Sequence, residues 1–224
     1  FYTIAGAHTN KKRDQLLLVF STKLSDHNTK IYSNTELFER IDSVLETKKL
    51  QNLNNEQARV LMLVHRNFVR SGAALKGENR EKFQTITRKL ADIGTRFSQN
   101  LLNDERDWFM KLDNKNLETL PSFLVQALNQ AGKDRGINQA VLTLSRSLIT
   151  PFLQFCSDRA LRELAYVAWT KRGANEGDRN NVKLAYETLK LRAQMAKILG
   201  YASYSHYKLD TEMASSPENV DKLL

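Results

Sequence analysis

Apolar residues recur at helical spacing along most of this 224-residue chain. The clearest stretch covers residues 79–105, where one seam has members three or four residues apart: Phe83, Ile86, Leu90, Ile93, Phe97 and Leu101. A seam this close to a heptad pattern predicts one long helix packed against another. Gly94 interrupts it at a cost of about 1 kcal/mol relative to alanine. Such a stripe is far more typical of a core than of a ligand site.

Shorter periodic segments before this stretch predict three further helices. Residues 9–27 place Leu17, Phe20 and Leu24 on one stripe. Ser33 and Glu36 have the spacing of a capping box, which predicts a helix start there. The third helix is predicted to begin at "NNEQ" and to end before Gly72 and Gly77, because glycines punctuate helices.

The middle of the chain has a different pattern. Residues 107–116 and 139–147 alternate and contain Val, Leu, Thr and aromatic residues, so each is predicted as a short strand or extended arm of one small hairpin. Between them, "LPSFLVQALNQAG" predicts a helix with Pro121 near its first turn and Gly132 just past its end. After Pro151, helices are predicted from about 157 to 172 and from about 180 to 199. The predicted fold class is therefore all-α, with room for one small β-hairpin.

Residues 198–220 carry four rings that could form a binding site: Tyr201, Tyr204, His206 and Tyr207. The local signals instead favour a tight corner between helices. Gly200 suits the left-handed position that ends a helix, and Tyr201 would then pack back on Met195 or Ala196. Ser203 is a good N-cap, and Pro217 suits the first position of the next helix. We interpret the tyrosines as packing groups, with His206 directed elsewhere.

Composition narrows the function classes. The net charge of +9 comes from 34 basic and 25 acidic residues that are scattered along the chain, and the densest cluster, Lys11–Lys12–Arg13, is followed at once by Asp14. A basic helical module that binds nucleic acid or a partner helix would need a contiguous basic face, so we expect no nucleic-acid partner. The apolar run Leu16–Phe20 is too short to span a bilayer, which predicts no membrane association. Cys156 is the only cysteine and reads as a small buried residue, which fits a reducing, cytoplasmic setting.

The chain shows no catalytic constellation of its own. Its histidines are far apart and none begins the HExxH pattern, in which two imidazoles one helical turn apart reach one zinc ion: His8, His27, His65 and His206. The paired carboxylates Asp104–Glu105 and Asp42 with Glu46 are expected on solvated helix faces. From the residues alone we therefore assign no catalytic and no metal-binding residue, and the substrate-binding residues stay unknown.

Several sequence segments occur in a characteristic order along the chain, notably "RNFVRSGAAL", "ADIGTRFSQNLL", "AWTKRG" followed by "GDRNN", and "KILGYASYSHYKLDTEMASSPENV". Together they resemble the thimet-oligopeptidase (M3) family of zinc metallopeptidases, and within it the bacterial peptidyl-dipeptidase (dipeptidyl carboxypeptidase) branch. The resemblance covers essentially all 224 residues.

The resemblance implies an elongated, almost wholly helical enzyme of two lobes that face a channel, with zinc bound at an HExxH helix. This sequence matches only the portion upstream of that motif, so no family catalytic or zinc-binding residue has a position here. Residues 1–224 are accordingly predicted to be the N-terminal, non-catalytic helical portion, to form a channel wall and to be inactive alone. Phe1 and the final helix that starts at Pro217 read as the ends of a piece of something longer.

The expected function belongs to the complete enzyme. That enzyme would bind zinc, hydrolyse short peptides and release C-terminal dipeptides, with the missing catalytic half as the partner of this segment. An oligopeptidase of the same family that cuts internally is the first alternative. The basic helical module is the second.

Overall fold

The computed structural model describes Thr3, residues 11–47 and residues 52–224. Within these ranges the chain forms eleven helices and two short strands: α1 Lys11–Tyr32, α2 Thr35–Glu46, α3 Asn55–Arg70, α4 Gly77–Asp107, β1 Phe109–Leu112, α5 Asn114–Leu117, α6 Ser122–Asp134, β2 Ala140–Thr143, α7 Arg146–Phe155, α8 Arg159–Thr170, α9 Val182–Ile198, α10 Tyr204–Leu209 and α11 Pro217–Leu223. The mainly helical prediction is confirmed. No described helix combines the length and the apolar character that crossing a membrane requires.

The chain divides into two compact units. One comprises Phe1–Ile86 together with Ala193–Leu224, and the other comprises Thr87–Arg192. This division concerns packing alone. That residues 1–224 form the non-catalytic portion of a peptidase stays a prediction.

The first unit has a small aromatic core. Phe38, Phe68 and Ala73 are buried there, and four partly buried side chains pack on them: Ile31, Tyr32, Ile41 and Val69. The predicted α3 start is confirmed, since Asn54 and Gln57 form a reciprocal capping box.

The predicted cap at Ser33 is one residue early. Asn34 caps α2 by accepting a hydrogen bond from the Leu37 backbone N–H at 2.9 Å. An asparagine side chain satisfies the N-terminal donors of a helix as well as a serine does, so spacing alone does not separate the two. The first predicted helix is confirmed from Lys11, and its described side chains Phe20 and Leu24 are exposed.

The second unit contains the larger core. Strands β1 and β2 pair antiparallel, with Phe109 opposite Thr143 and Leu112 opposite Ala140. They are not a simple hairpin, because α5 and α6 lie between them in the chain. Twelve residues are buried in one cluster around this ribbon: Leu112, Leu120, Leu124, Leu128, Ala140, Leu142, Leu144, Leu148, Ile149, Phe152, Cys156 and Ala165.

Two predictions in this unit are wrong. Gly132 lies inside the last turn of α6 rather than past its end, because the helix continues to Asp134. The strand predicted over residues 139–147 ends at Thr143, and Arg146–Phe155 form α7, a helix that was not predicted and that contains Pro151. An internal proline costs about 3 kcal/mol. Burial of three large side chains at about 1.5–3 kcal/mol each outweighs that cost, and α7 buries three: Leu148, Ile149 and Phe152.

Candidate functional site

The aromatic segment predicted as a corner is organised around Arg70, in the last turn of α3. One guanidinium nitrogen of Arg70 donates to the Tyr207 carbonyl oxygen at 2.8 Å, and the other donates to Asp210 Oδ2 at 3.2 Å. The guanidinium carbon lies 4.0 Å from the centre of the Tyr207 ring, within cation–π range. Tyr201 completes the cluster by donating its hydroxyl to Asp210 Oδ2 at 3.1 Å. Burial, then the hydrogen bond and charge of Asp210, raise the pKa of Tyr201.

The turn chemistry of the corner is confirmed. Gly200 has a φ of +85°, and the next N–H, that of Tyr201, donates to the Ala196 carbonyl at 2.9 Å, which is the pattern of a helix C-cap. Ser203 caps α10, and Pro217 is the first residue of α11. Helix α10 ends at Leu209, whereas the sequence "YSHYKLDTEMA" predicts a helix over 204–214. The corner is therefore a packed helix junction, and its charged partner Arg70 was missed because it lies more than a hundred residues away in sequence.

Two histidines of the first unit each lie beside one carboxylate. His65 Nε2 lies 2.9 Å from Asp42 Oδ1, so Asp42, predicted as solvated surface, also has a structural contact. His206 Nδ1 lies 2.8 Å from the Ser203 hydroxyl, and its Nε2 lies 3.7 Å from a Glu218 carboxylate oxygen. Each imidazole thus has one carboxylate neighbour, whereas a catalytic zinc takes three protein ligands.

The remaining histidines add no ligand set. His27 is exposed, and His8 lies outside the described residues. Across the part of the chain that the structure describes, no group of three or more His, Cys, Asp or Glu side chains could hold a metal ion. The described donors therefore do not fit a zinc centre, and we derive no chemical step through zinc from them.

In the second unit, Asp104 is the most informative carboxylate. Its side chain is only 8% exposed, and Oδ2 accepts hydrogen bonds from the Gly173 N–H at 2.8 Å and from the Asn175 side-chain amide at 2.9 Å. The adjacent Glu105 forms an ion pair with Arg172. The prediction that Asp104 and Glu105 lie on a solvated face is wrong, because the loop after α8 folds back over that face.

Further contacts fasten the same loop, residues 171–181, to the last turns of α4. Asp107 forms ion pairs with Arg179, at 2.6 Å, and with Arg106. The hydrogen bond from Arg106 has the larger effect and that from Arg179 the next, and together they lower the pKa of Asp107 to about 2. Asn181 donates its amide to the Phe97 carbonyl at 3.0 Å, deep in the unit. The polar composition of the loop is the sequence signal that could have suggested this fastening.

Beside this loop lies an open groove of about 840 Å³. Its surface is mainly apolar, and its lining includes four charged groups and one amide: Asp104, Asp107, Trp108, Leu144, Ala160, Glu163, Leu164, Val167, Ala168, Lys171 and Asn175. Six of these residues belong to α8 and its C-cap and lie one or three positions apart, so one face of α8 forms a wall of the groove. Its volume lies within the range of small-ligand pockets, although it is open to solvent.

Cys156 has the structural role predicted for it. It is buried in the core of the second unit, and burial raises the pKa of its thiol. Because the thiolate is the nucleophilic form, burial and the raised pKa both disfavour reaction at this thiol.

Comparison with known proteins connects these features to one family. The model of peptidase family M3 matches residues 152–224. The dipeptidyl carboxypeptidase of Escherichia coli (strain K12) is 29% identical over 222 residues, which is 97% of this chain and 32% of that protein. The oligopeptidase A of Haemophilus influenzae is 29% identical over 202 residues, covering 88% of this chain and 30% of the relative.

A plant protein gives a similar match. The probable cytosolic oligopeptidase A of Arabidopsis thaliana is 32% identical over 84% of this chain and 28% of its own length. The chain thus spans about a third of the length of the curated relatives it matches. Their names include two different activities at similar identity. The resemblance found in the sequence is confirmed: the chain is similar to members of peptidase family M3, whose model matches its last third.

Proposed function

We propose that this chain is the non-catalytic helical portion of a zinc metallopeptidase that hydrolyses short peptides and releases C-terminal dipeptides. The observation that carries the proposal is the match to a dipeptidyl carboxypeptidase over 97% of the chain, combined with a sequence that contains no HExxH motif. In the complete enzyme, zinc would be held by that motif in another portion and would activate a water molecule. The residues described here would contribute structure and substrate contacts only.

The surface of the second unit supports a role as a wall. Several large apolar side chains are exposed on it, including Tyr186 at 73% and Leu189 at 65% on α9. Phe123 and Phe155 form an exposed edge-to-face pair with ring centres 6.2 Å apart. We propose that these exposed side chains contact the catalytic portion.

The second candidate is an oligopeptidase that cuts within peptides. It is favoured by relatives named oligopeptidase A, whose identities of 29% and 32% equal or exceed that of the dipeptidyl carboxypeptidase. We further propose a cytoplasmic location, supported by the single, buried Cys156. One Arabidopsis relative is named cytosolic and another, 31% identical, is named organellar.

Product analysis separates the two activities. The complete enzyme, in which this chain is joined to an HExxH-containing portion, is incubated with an N-acetylated hexapeptide, and the products are identified by mass spectrometry. A peptidyl-dipeptidase should release the C-terminal dipeptide and then the next one. Such an enzyme should also hydrolyse the C-terminally amidated peptide much more slowly, because the amide lacks the free carboxylate that would position the second bond from the C-terminus for cleavage.

Other products decide against the first proposal. Internal fragments that form equally well from the amidated peptide would assign the oligopeptidase activity. Hydrolysis by residues 1–224 alone, at the rate of the complete enzyme, would overturn the proposed division of labour.

A further inference from the structure

The groove along α8 contains two charges that no described residue neutralises. Glu163 and Lys171 both line it, and neither side chain forms a hydrogen bond or ion pair with any residue in the described ranges. The two aspartates of the groove differ, because their carboxylates are already bonded: Asp104 to Gly173 and Asn175, and Asp107 to two arginines. The free charges available to an occupant are therefore one anion and one cation.

These two charges lie at a defined separation. They are eight residues apart on α8 and its cap, which corresponds to about 12 Å along the helix axis at 1.5 Å per residue. Between them, Leu164 and Val167 present apolar surface that is 58% and 40% exposed. Trp108 also lines the groove and adds a large aromatic surface.

An occupant that matches this pattern has a cationic end, an anionic end about 12 Å away and an apolar middle. A fully extended chain spans at most about 3.3–3.6 Å per residue, so three to four residues cover the distance. A peptide with both termini free has this arrangement. The interior of a partner helix does not, because its backbone ends are not presented as free charges at that spacing.

We propose that the α8 groove binds a short peptide with its terminal ammonium at Glu163, its terminal carboxylate at Lys171 and its apolar side chains on Leu164 and Val167. This inference rests on the proposed function for the class of ligand. It adds a named site and a direction of binding that the function does not supply. The loop held by Asp104 supplies part of the groove lining, since Lys171 and Asn175 both belong to it.

The test is equilibrium binding to the 224-residue chain, followed by intrinsic tryptophan fluorescence and checked by calorimetry. The probes are Ala-Leu-Leu-Ala with free termini, its N-acetylated form and its C-terminal amide. We expect each blocked form to bind about two- to fivefold more weakly, which is the value of an ion pair at a partly exposed site.

Two variants assign the termini. Glu163→Gln should lower the affinity for the free peptide to that for the acetylated peptide. The weaker binding of the C-terminal amide should persist in this variant. Lys171→Met should do the reverse. The matched controls Glu187→Gln and Lys190→Met remove the same charges from exposed positions on α9, and they should leave all three affinities unchanged.

A groove-filling variant, Ala168→Trp, should abolish binding while the thermal unfolding midpoint confirms that the chain is folded. Three results would overturn the proposal: no binding of the free peptide at millimolar concentration, equal affinity for free and blocked peptides, or controls as damaging as the groove variants. Loss of chain self-association in Ala168→Trp without peptide binding by the parent would assign the groove to a second copy instead. Because the assay measures binding and not hydrolysis, a failure here is distinguishable from a failure of the proposed peptidase activity.

Discussion

Two glycines of the second unit allow one substitution to be tested in opposite surroundings. Gly94 lies inside α4, and a Cβ added there meets nothing within 4 Å. Gly132 lies in the last turn of α6, and an added Cβ collides with the Gln139 carbonyl oxygen and comes within 3.1 Å of the Ile137 carbonyl oxygen. These obstacles are backbone atoms, and the Ile137 N–H is itself bonded to the Gly132 carbonyl at 2.9 Å. The segment therefore cannot move away without losing that bond.

The expected magnitudes follow from these surroundings. Alanine is favoured over glycine in a helix by about 0.8–1.0 kcal/mol, so Gly94→Ala should raise the free energy of unfolding by roughly that amount. The same propensity gain is available at Gly132, but overpacking a close contact costs about 1–3 kcal/mol and sometimes more. We expect Gly132→Ala to lower the free energy of unfolding by about 1–2 kcal/mol. The two substitutions should thus change the free energy of unfolding in opposite directions, and the two variants should differ by about 2–3 kcal/mol.

Urea unfolding followed by far-ultraviolet circular dichroism measures both values, with the dependence on denaturant compared to confirm that the transitions are of the same kind. Gly94→Ala serves as the control for helix propensity. If Gly132→Ala is as stabilising as Gly94→Ala, the close approach of residues 132 and 139 is wrong. The packing of α6 on the approach to β2 would then need revision.

Three further predictions concern the charged clusters. Asp104→Ala should lower the free energy of unfolding by about 1.5–3 kcal/mol, because the buried Gly173 N–H loses a charged acceptor, whereas Asp92→Ala on the exposed side of the same helix should change it by less than about 0.5 kcal/mol in the same urea assay. Arg70→Lys should lower it by about 1–2 kcal/mol, since lysine keeps the charge but cannot make both contacts of the guanidinium fork, and equal stability of the two proteins would refute the role of Arg70. The pKa of Asp107 is lowered to about 2 from 3.8, so its stabilising contribution is present above 3.8 and is lost as the pH falls through 2. The difference in urea midpoint between the parent and Asp107→Asn should therefore shrink over that range, and a difference that grows toward low pH would contradict the pairing.

Local signals predicted most of the helices correctly. The seam of α4 and the capping box of α3 depend on residues within one or two turns of each other, so the sequence contains all the information that they need. Helix α7 was not predicted because it contains Pro151, while the burial that outweighs the proline depends on how the helix packs on β2, α6 and α8. The predicted position of Gly132 past the helix end was wrong for a similar reason. The glycine is required by the close approach of the backbone at Ile137 and Gln139, which lie in the connection to β2.

The candidate site depended almost wholly on long-range contacts. Asp104 lies on the polar side of a periodic helix, which is ordinarily solvated, and only the folded loop reveals that it accepts two hydrogen bonds. Arg70 is similar, since its aromatic and carboxylate partners follow it by more than a hundred residues. Spacing within a helix did not identify the α8 groove either. Its lining also includes Trp108 and Leu144, which lie just before β1 and just after β2 and so are far from α8 in the sequence pattern.

The central claim of the proposed function is that these 224 residues form no zinc centre of their own. The most direct test is the zinc content of the purified chain, measured by atomic emission after incubation with zinc and equilibrium dialysis, on a sample whose intact mass is 25.7 kDa. We predict no stoichiometric zinc and no hydrolysis of the acetylated hexapeptide by that sample. About one zinc per chain, the content of a single catalytic centre, together with hydrolysis would contradict the account.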